Sequence, residues 1–236
     1  MNNEESREYP VSNDGMSWEY LKWALEGGKN LKIDTYTGPV SLKEKELGIL
    51  EVSSGWIVAI DPGIIEPGFS EEFEIPFAHQ IPPGRYPICV NIATRLEDGD
   101  QRVAFGILKL AKEPPVRWEV ATLKDQELVA GEHPEAHGYG VDSGTGCFID
   151  LNIIPLIKEG ELSIWELLEE KLEETYVDTW SWANLRAEKG SSSNLIAFSS
   201  GDGDGRYPSF WGFGQSGNRV VLVTDFYITM PPHESD

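Results

Sequence analysis

Val116-Arg117-Trp118-Glu119-Val120-Ala121-Thr122 is the stretch that decides the fold class. Val116, Trp118, Val120 and Thr122 alternate with Arg117, Glu119 and Ala121. A period of two sends successive side chains to opposite faces, so one face of this strand meets a core and the other meets water. Upstream, residues 101–110 read as a second strand. The polar hairpin Glu97-Asp98-Gly99-Asp100 joins it to a third over 86–93, which follows the turn Pro82-Pro83-Gly84. Further back, Trp56-Ile57-Val58-Ala59-Ile60-Asp61 is a short apolar run stopped by Pro62-Gly63. Strand patterning covers 31–124 as a whole.

Downstream, 125–138 is a polar loop. Tyr139-Gly140-Val141 and Cys147-Phe148-Ile149 then read as the arms of a hairpin around Asp142-Ser143-Gly144-Thr145-Gly146. The glycines there supply backbone angles that other residues avoid. Residues 151–176 are helical, in two pieces separated by Gly160. Ser163-Ile164-Trp165-Glu166 has the spacing of a capping box, and Trp165, Leu168 and Leu172 then face the core. Lys189-Gly190-Ser191-Ser192-Ser193 is a linker-like loop. Strands return over 194–199, 207–213 and 219–227, with Gln215-Ser216-Gly217-Asn218 as a hairpin turn. Near the start, Ser17 caps a short helix that Gly27-Gly28 end, with Trp18, Leu21 and Leu25 on one face. The expected fold is α+β: mostly antiparallel β, a sandwich or twisted sheet, with packed helices over 17–26 and 152–175. One globular domain spans 16–230, between disordered tails at 1–15 and 231–236.

Composition narrows the function. Acids outnumber bases 40 to 19, a formal net charge of −21. Such a chain is repelled by nucleic acid and anionic membranes and favours cationic partners or metal ions. The two cysteines, Cys89 and Cys147, form no CxxC pair, which argues against a zinc or redox motif. They are either one disulfide or two buried thiols of a reducing cytoplasm. Met1-Asn2-Asn3-Glu4-Glu5 has no apolar run of a signal peptide, and no stretch reaches membrane-span length. The cytoplasm is the expected compartment.

Candidate chemistry gathers at two glycine-and-aspartate turns, 140–150 and 200–212. Asp202-Gly203-Asp204-Gly205 begins like a calcium loop, but Gly205 follows Asp204 directly and the twelfth position is Phe213. A different cation site using Asp202 and Asp204 stays open, beside the plain reading of a tight turn in which aspartates bond local amides. Asp142-Ser143-Gly144-Thr145-Gly146 is similar to the phosphate turn of sugar kinases and actin-like ATPases. That fold needs a much longer chain and a second phosphate loop, and no GxxxxGK[ST] pattern is present. Asp225 lies on the apolar face of its strand with Val221 and Val223, so it needs a partner. Arg85, Arg102, Arg117 or Arg206 would serve, or Asp225 is a site acid. His133-Pro134-Glu135-Ala136-His137 spaces two histidines by four, but Pro134 argues for loop. Ser143 and Cys147 as nucleophiles would need a base, and Trp180, Trp182, Trp211 and Phe213 would line a sugar groove or fill a core.

The order of several landmarks resembles a known family. They are Asp61-Pro62, Pro82-Pro83-Gly84-Arg85-Tyr86-Pro87, Arg102-Val103-Ala104, Arg117-Trp118-Glu119, the 140–150 segment, Gly203-Asp204-Gly205-Arg206-Tyr207-Pro208, Trp211-Gly212 and Asp225-Phe226. From Gly55 to Phe226 the chain resembles a bacterial family known only as domain of unknown function 4241. The resemblance implies a bacterial, mostly soluble protein, and implies no activity.

The expected function is that of an acidic interaction protein without catalytic activity, for example a toxin-neutralising immunity protein that meets a basic protein partner. The first alternative is a metal-dependent hydrolase in which Asp142, Asp150, Asp202, Asp204 and Asp225 hold a divalent cation. The second is a carbohydrate-binding module. No organic cofactor is expected. Whatever the function, both turns should lie together on one rim, formed by Asp142, Ser143, Thr145 and Asp150 with Asp202, Asp204, Arg206, Tyr207, Trp211 and Asp225. Arg206 is expected to balance the acids.

Overall fold

Strands form here because β-branched and aromatic residues recur with period two between turn residues. The computed structural model describes residues 19–26, 31–66, 73–129, 133–159, 164–186 and 193–230. A seven-stranded sheet runs in the order β1 (Leu31–Thr35), β2 (Gly38–Val52), β4 (Gly84–Arg95), β5 (Gln101–Lys109), β13 (Arg219–Asp225), β12 (Ser209–Phe213) and β6 (Arg117–Val120). A four-stranded sheet runs β3 (Ile57–Ile60), β8 (Thr145–Asp150), β10 (Asn194–Ser199), β9 (Trp182–Arg186). A two-stranded ladder pairs β7 (Tyr139–Val141) with β11 (Gly205–Tyr207). All of these pairings are antiparallel. The alternating stretch at 116–122 forms the edge strand β6, with Trp118 buried and Glu119 exposed.

Strands β3, β8 and β10 of the small sheet are buried on both faces, while its edge strand β9 exposes Asn184 and Arg186. On β8, Cys147 and Ile149 pack against Ile154, Ile157, Ile164 and Leu168, while Phe148 joins the core shared with the large sheet. On β10, Leu195 and Ala197 face the first set, and Ile196 and Phe198 the second. Burial on both faces is why these strands read as continuous apolar runs. The helical layer is α2 (Ile154–Lys158), entered through the 3₁₀ turn Leu151–Ile153, and α3 (Ile164–Thr175). Each large apolar side chain buried in these layers contributes roughly 1.5–3 kcal/mol. The two sheets approach closely at Gly106, where a Cβ would stand 2.6 Å from the Phe198 ring.

The other face of the large sheet carries the N-terminal segment, a 3₁₀ turn Glu19–Lys22 and α1 (Trp23–Glu26). Leu21 and Ala24 are fully buried there. Asn91, Phe105 and Asp225 stand opposite one another across β4, β5 and β13. Asn91 Nδ2 donates to the Trp23 and Ala24 carbonyls at 3.1 and 2.5 Å, and the Tyr20 hydroxyl donates to Asp225 Oδ2 at 2.7 Å.

Some elements depart from the sequence expectation. Tyr139–Val141 and Thr145–Asp150 do not pair as a hairpin: β7 pairs β11, and β8 pairs β3 and β10. The backbone groups along both edges of the buried six-residue β8 need partners, and the three-residue β7 is too short to supply them. The expected strand 207–213 divides at Pro208, which has no N–H for a ladder. The 15-residue β2 hid behind the charged run Lys43-Glu44-Lys45-Glu46. Both cysteines are free and buried. Among the described residues no helix is long and apolar enough to cross a membrane. The expectations placed on Ser17, Trp18, Gly27-Gly28, Gly160, Ser163, 189–192 and the two tails lie outside the described residues.

Candidate functional site

The two glycine-and-aspartate turns meet. The ladder sets Gly205 opposite Val141, Arg206 opposite Gly140 and Tyr207 opposite Tyr139. Beyond it, the Ser200 N–H donates to the Gly144 carbonyl at 3.0 Å. The Tyr207 hydroxyl closes the second turn against the Ser200 and Gly203 carbonyls, at 3.1 and 2.9 Å. Gly201 holds φ +61°, and a Cβ there would come within 2.9 Å of Phe226, so the turn requires glycine.

Asp61, 2 % exposed, organises the first turn. Its Oδ2 accepts from the Asp142 and Ser143 N–H groups, both at 2.8 Å, and its Oδ1 accepts from the Ser143 hydroxyl at 2.7 Å and Gly63 N–H at 2.8 Å. A buried carboxylate needs such a set of donors. Beside it opens a cleft of about 710 Å³. Ile60, Ile64, Phe73, Ile75 and Leu123 supply apolar lining, with Lys124, Asp125, Asp142 and Arg206 among its polar groups. Phe73 is 54 % exposed, although it is large and apolar.

The remaining aspartates separate into two kinds. Asp150 is fully buried: Oδ2 accepts from Ser53 and Ser54 N–H at 2.5 and 2.8 Å, and Oδ1 caps the following 3₁₀ turn through Asn152 N–H. Asp225 is fully buried and accepts from Tyr20 and, at 2.9 Å, from Tyr227 N–H. Burial pushes the Asp225 carboxyl up to about 6 against the pull of those two hydrogen bonds. Its partner is therefore a tyrosine of the N-terminal segment, not one of the four expected arginines. Asp142, Asp202 and Asp204 are exposed. Asp202 lies 3.7 Å from Arg102. Burial, then the charges of Asp202 and Asp204, push the Tyr207 hydroxyl up to about 12.

The five-aspartate centre is thus not assembled. Among the described residues no three His, Cys, Asp or Glu side chains gather to hold a metal ion. Asp150 and Asp225 are each taken up elsewhere, Asp150 by three backbone N–H groups and Asp225 by the Tyr20 hydroxyl and one backbone N–H. Arg206 does not balance the acids either. Its Nε and Nη2 donate to the Glu135 and Ala136 carbonyls at 3.0 and 3.3 Å. The Ser143 hydroxyl is committed to Asp61, and burial pushes the Cys147 thiol far above its ordinary range. Thr145 is a buried ladder residue opposite Ser199. His133 caps a 3₁₀ turn through Glu135 N–H, while His137 is buried.

The aromatic platform is not formed. Trp211 and Trp180 are 1 % and 7 % exposed, Trp211 edge-on to Phe77 and Trp180 bonded to the Gln101 side chain. Trp182 is half-buried, with Lys45 Nζ 5.5 Å from its ring centroid. Sequence reading took Asp61 only as the end of an apolar run and one landmark of the family resemblance. The signal was there, in an Asp before Pro-Gly, but its grip on Asp142 spans 81 positions. Tyr20, 205 positions from Asp225, had no local signal at all.

The family described as Protein of unknown function (DUF4241) matches residues 50–224. No curated protein and no solved structure matches the chain.

Proposed function

We infer that this chain, which belongs to the DUF4241 family, is an acidic bacterial interaction protein of the cytoplasm, acting by binding rather than by catalysis. One observation carries the reading: the carboxylates divide between fold and surface. Asp61, Asp150 and Asp225 are taken up by internal donors. Asp142 and Asp204 face outward on one rim, Asp142 at the mouth of an apolar cleft. An apolar recess edged by Asp125 and Asp142 as well as Lys124 and Arg206, in a chain whose net charge is strongly negative, suits a basic partner that inserts an apolar group and pairs polar groups around it. The net charge of −21 extends the attraction beyond contact range and speeds capture. A toxin-neutralising role against a basic toxin has this physical form.

The test uses purified basic proteins encoded beside its own gene, captured on the immobilised chain and on the variant Asp142→Asn with Asp204→Asn. Capture by the wild type, reduced in the variant and by added salt, supports the reading. Capture that ignores both, or no capture of any such protein, refutes it.

A further inference from the structure

Among the described residues, Arg219 combines an aromatic cradle with a buried donor that has no acceptor. It opens β13, opposite Phe213 on β12, which in turn stands opposite Arg117 on β6. The Arg117 guanidinium lies 4.0 Å from the Phe213 ring centroid, and that of Arg219 lies 5.5 Å from the same centroid and 5.3 Å from that of Trp211. Arg117 has a carboxylate partner in Glu119. Arg219 has none among the described residues, and its Nε is buried without an acceptor. Trp211 Nε1–H, on a side chain 1 % exposed, also lacks an acceptor.

This arrangement is costly in a chain with 40 acids against 19 bases. A half-buried guanidinium loses water contacts, and stacking on aromatic faces returns only part of that loss. A neighbouring Asp or Glu would have satisfied it. Lys109 and Arg102 are each matched this way, to Glu44 and Asp100. The charge of Arg219 is felt instead by another basic group: His79 is exposed, and burial first, then Arg219, hold its imidazole below the ordinary range. Unmet donors and uncompensated positive charge therefore coincide on β12 and β13, the strands inside the β6 edge of the large sheet.

We propose that Arg219, held against Trp211 and Phe213, is the anchor of an oxyanion site that takes the carboxylate or phosphate group of a ligand. The planar guanidinium offers two parallel N–H groups to such a group, and the aromatic faces keep it oriented. This site stands apart from the acidic rim and does not rest on the role proposed for it.

The experiment follows the His79 imidazole by NMR through a pH titration in sodium chloride. It is repeated with part of the chloride replaced, at equal ionic strength, by sulfate, standing for phosphate, or by acetate, standing for carboxylate. Wild-type protein should show the His79 midpoint rising toward the ordinary histidine value, with Trp211 fluorescence changing over the same anion range. Response to sulfate alone identifies a phosphate-bearing ligand, and response to acetate alone a carboxylate. Arg219→Gln should start from a raised midpoint and respond to neither. Arg219→Lys keeps the charge without the fork, so it should fold even if the Gln variant does not, and should bind about tenfold more weakly. No response of the wild type to either anion, or an equal response in the variants, overturns the proposal.

Discussion

Asp61 fastens residues 142 and 143 to the strand stop at 61–63 through one carboxylate. Removing a charged acceptor strands every donor it served, at about 1–3 kcal/mol each when buried. Four donors are served, but Asp142 and Ser143 are exposed and water can meet part of their loss, so Asp61→Ala should lower unfolding free energy in urea by about 3–4 kcal/mol, and a loss under about 1 would show that the turn holds without it. Asp225 gives a pH signature. Its folded value, about 6, lies above the ordinary 3.8, so the folded state holds the extra proton between them. Stability then falls as pH rises through that window, by roughly 3 kcal/mol in all, and is regained on acidification. Asp225→Asn should remove this part of the slope. Urea unfolding at pH about 4.5 and about 7 should show the variant gaining on the wild type at the higher pH, whereas parallel profiles would contradict it. At this scale the sequence was half legible. That Asp225 needed a partner followed from its apolar face. Which partner did not, because hydrogen bonds over 205 positions leave no local pattern.

Among the elements, strands with one wet face or apolar runs between turns were readable, and pairing was not. Thr145–Asp150 was visible as a strand, yet its partners are set by which apolar edges lie alongside it after collapse. Gly106 shows how such collapse is specified. On β5 it lets the small sheet bring Phe198 against the backbone, and the ring is fixed by edge contacts with Phe148 and Phe226 at 5.4 and 6.1 Å. A methyl group there has nowhere to go. Gly106→Ala should cost about 1–3 kcal/mol by forcing the sheets apart, measured as a lower thermal or urea midpoint. An unchanged midpoint would mean that the interface is looser than these distances indicate. The N-terminal segment was legible as a helix, but its docking through Asn91 and Tyr20 was not, since neither residue type announces such a role.

For the whole molecule, three layers bury the apolar surface, and the excess of acids is left to the outside. Composition alone leads to the expectation of a partner of opposite charge. It misplaced the chemistry by counting five aspartates as available, when two of them, Asp150 and Asp225, serve the fold. What remains for a partner is long-range attraction and a recess at the β7–β11 rim. The most direct measurement is the association rate with a basic protein encoded beside its gene, followed across salt concentration for wild type and for Asp142→Asn with Asp204→Asn. Steered binding predicts a rate that falls steeply with salt, and a deficit in the variant that shrinks as screening grows. A rate indifferent to salt, equal in both proteins, would contradict it.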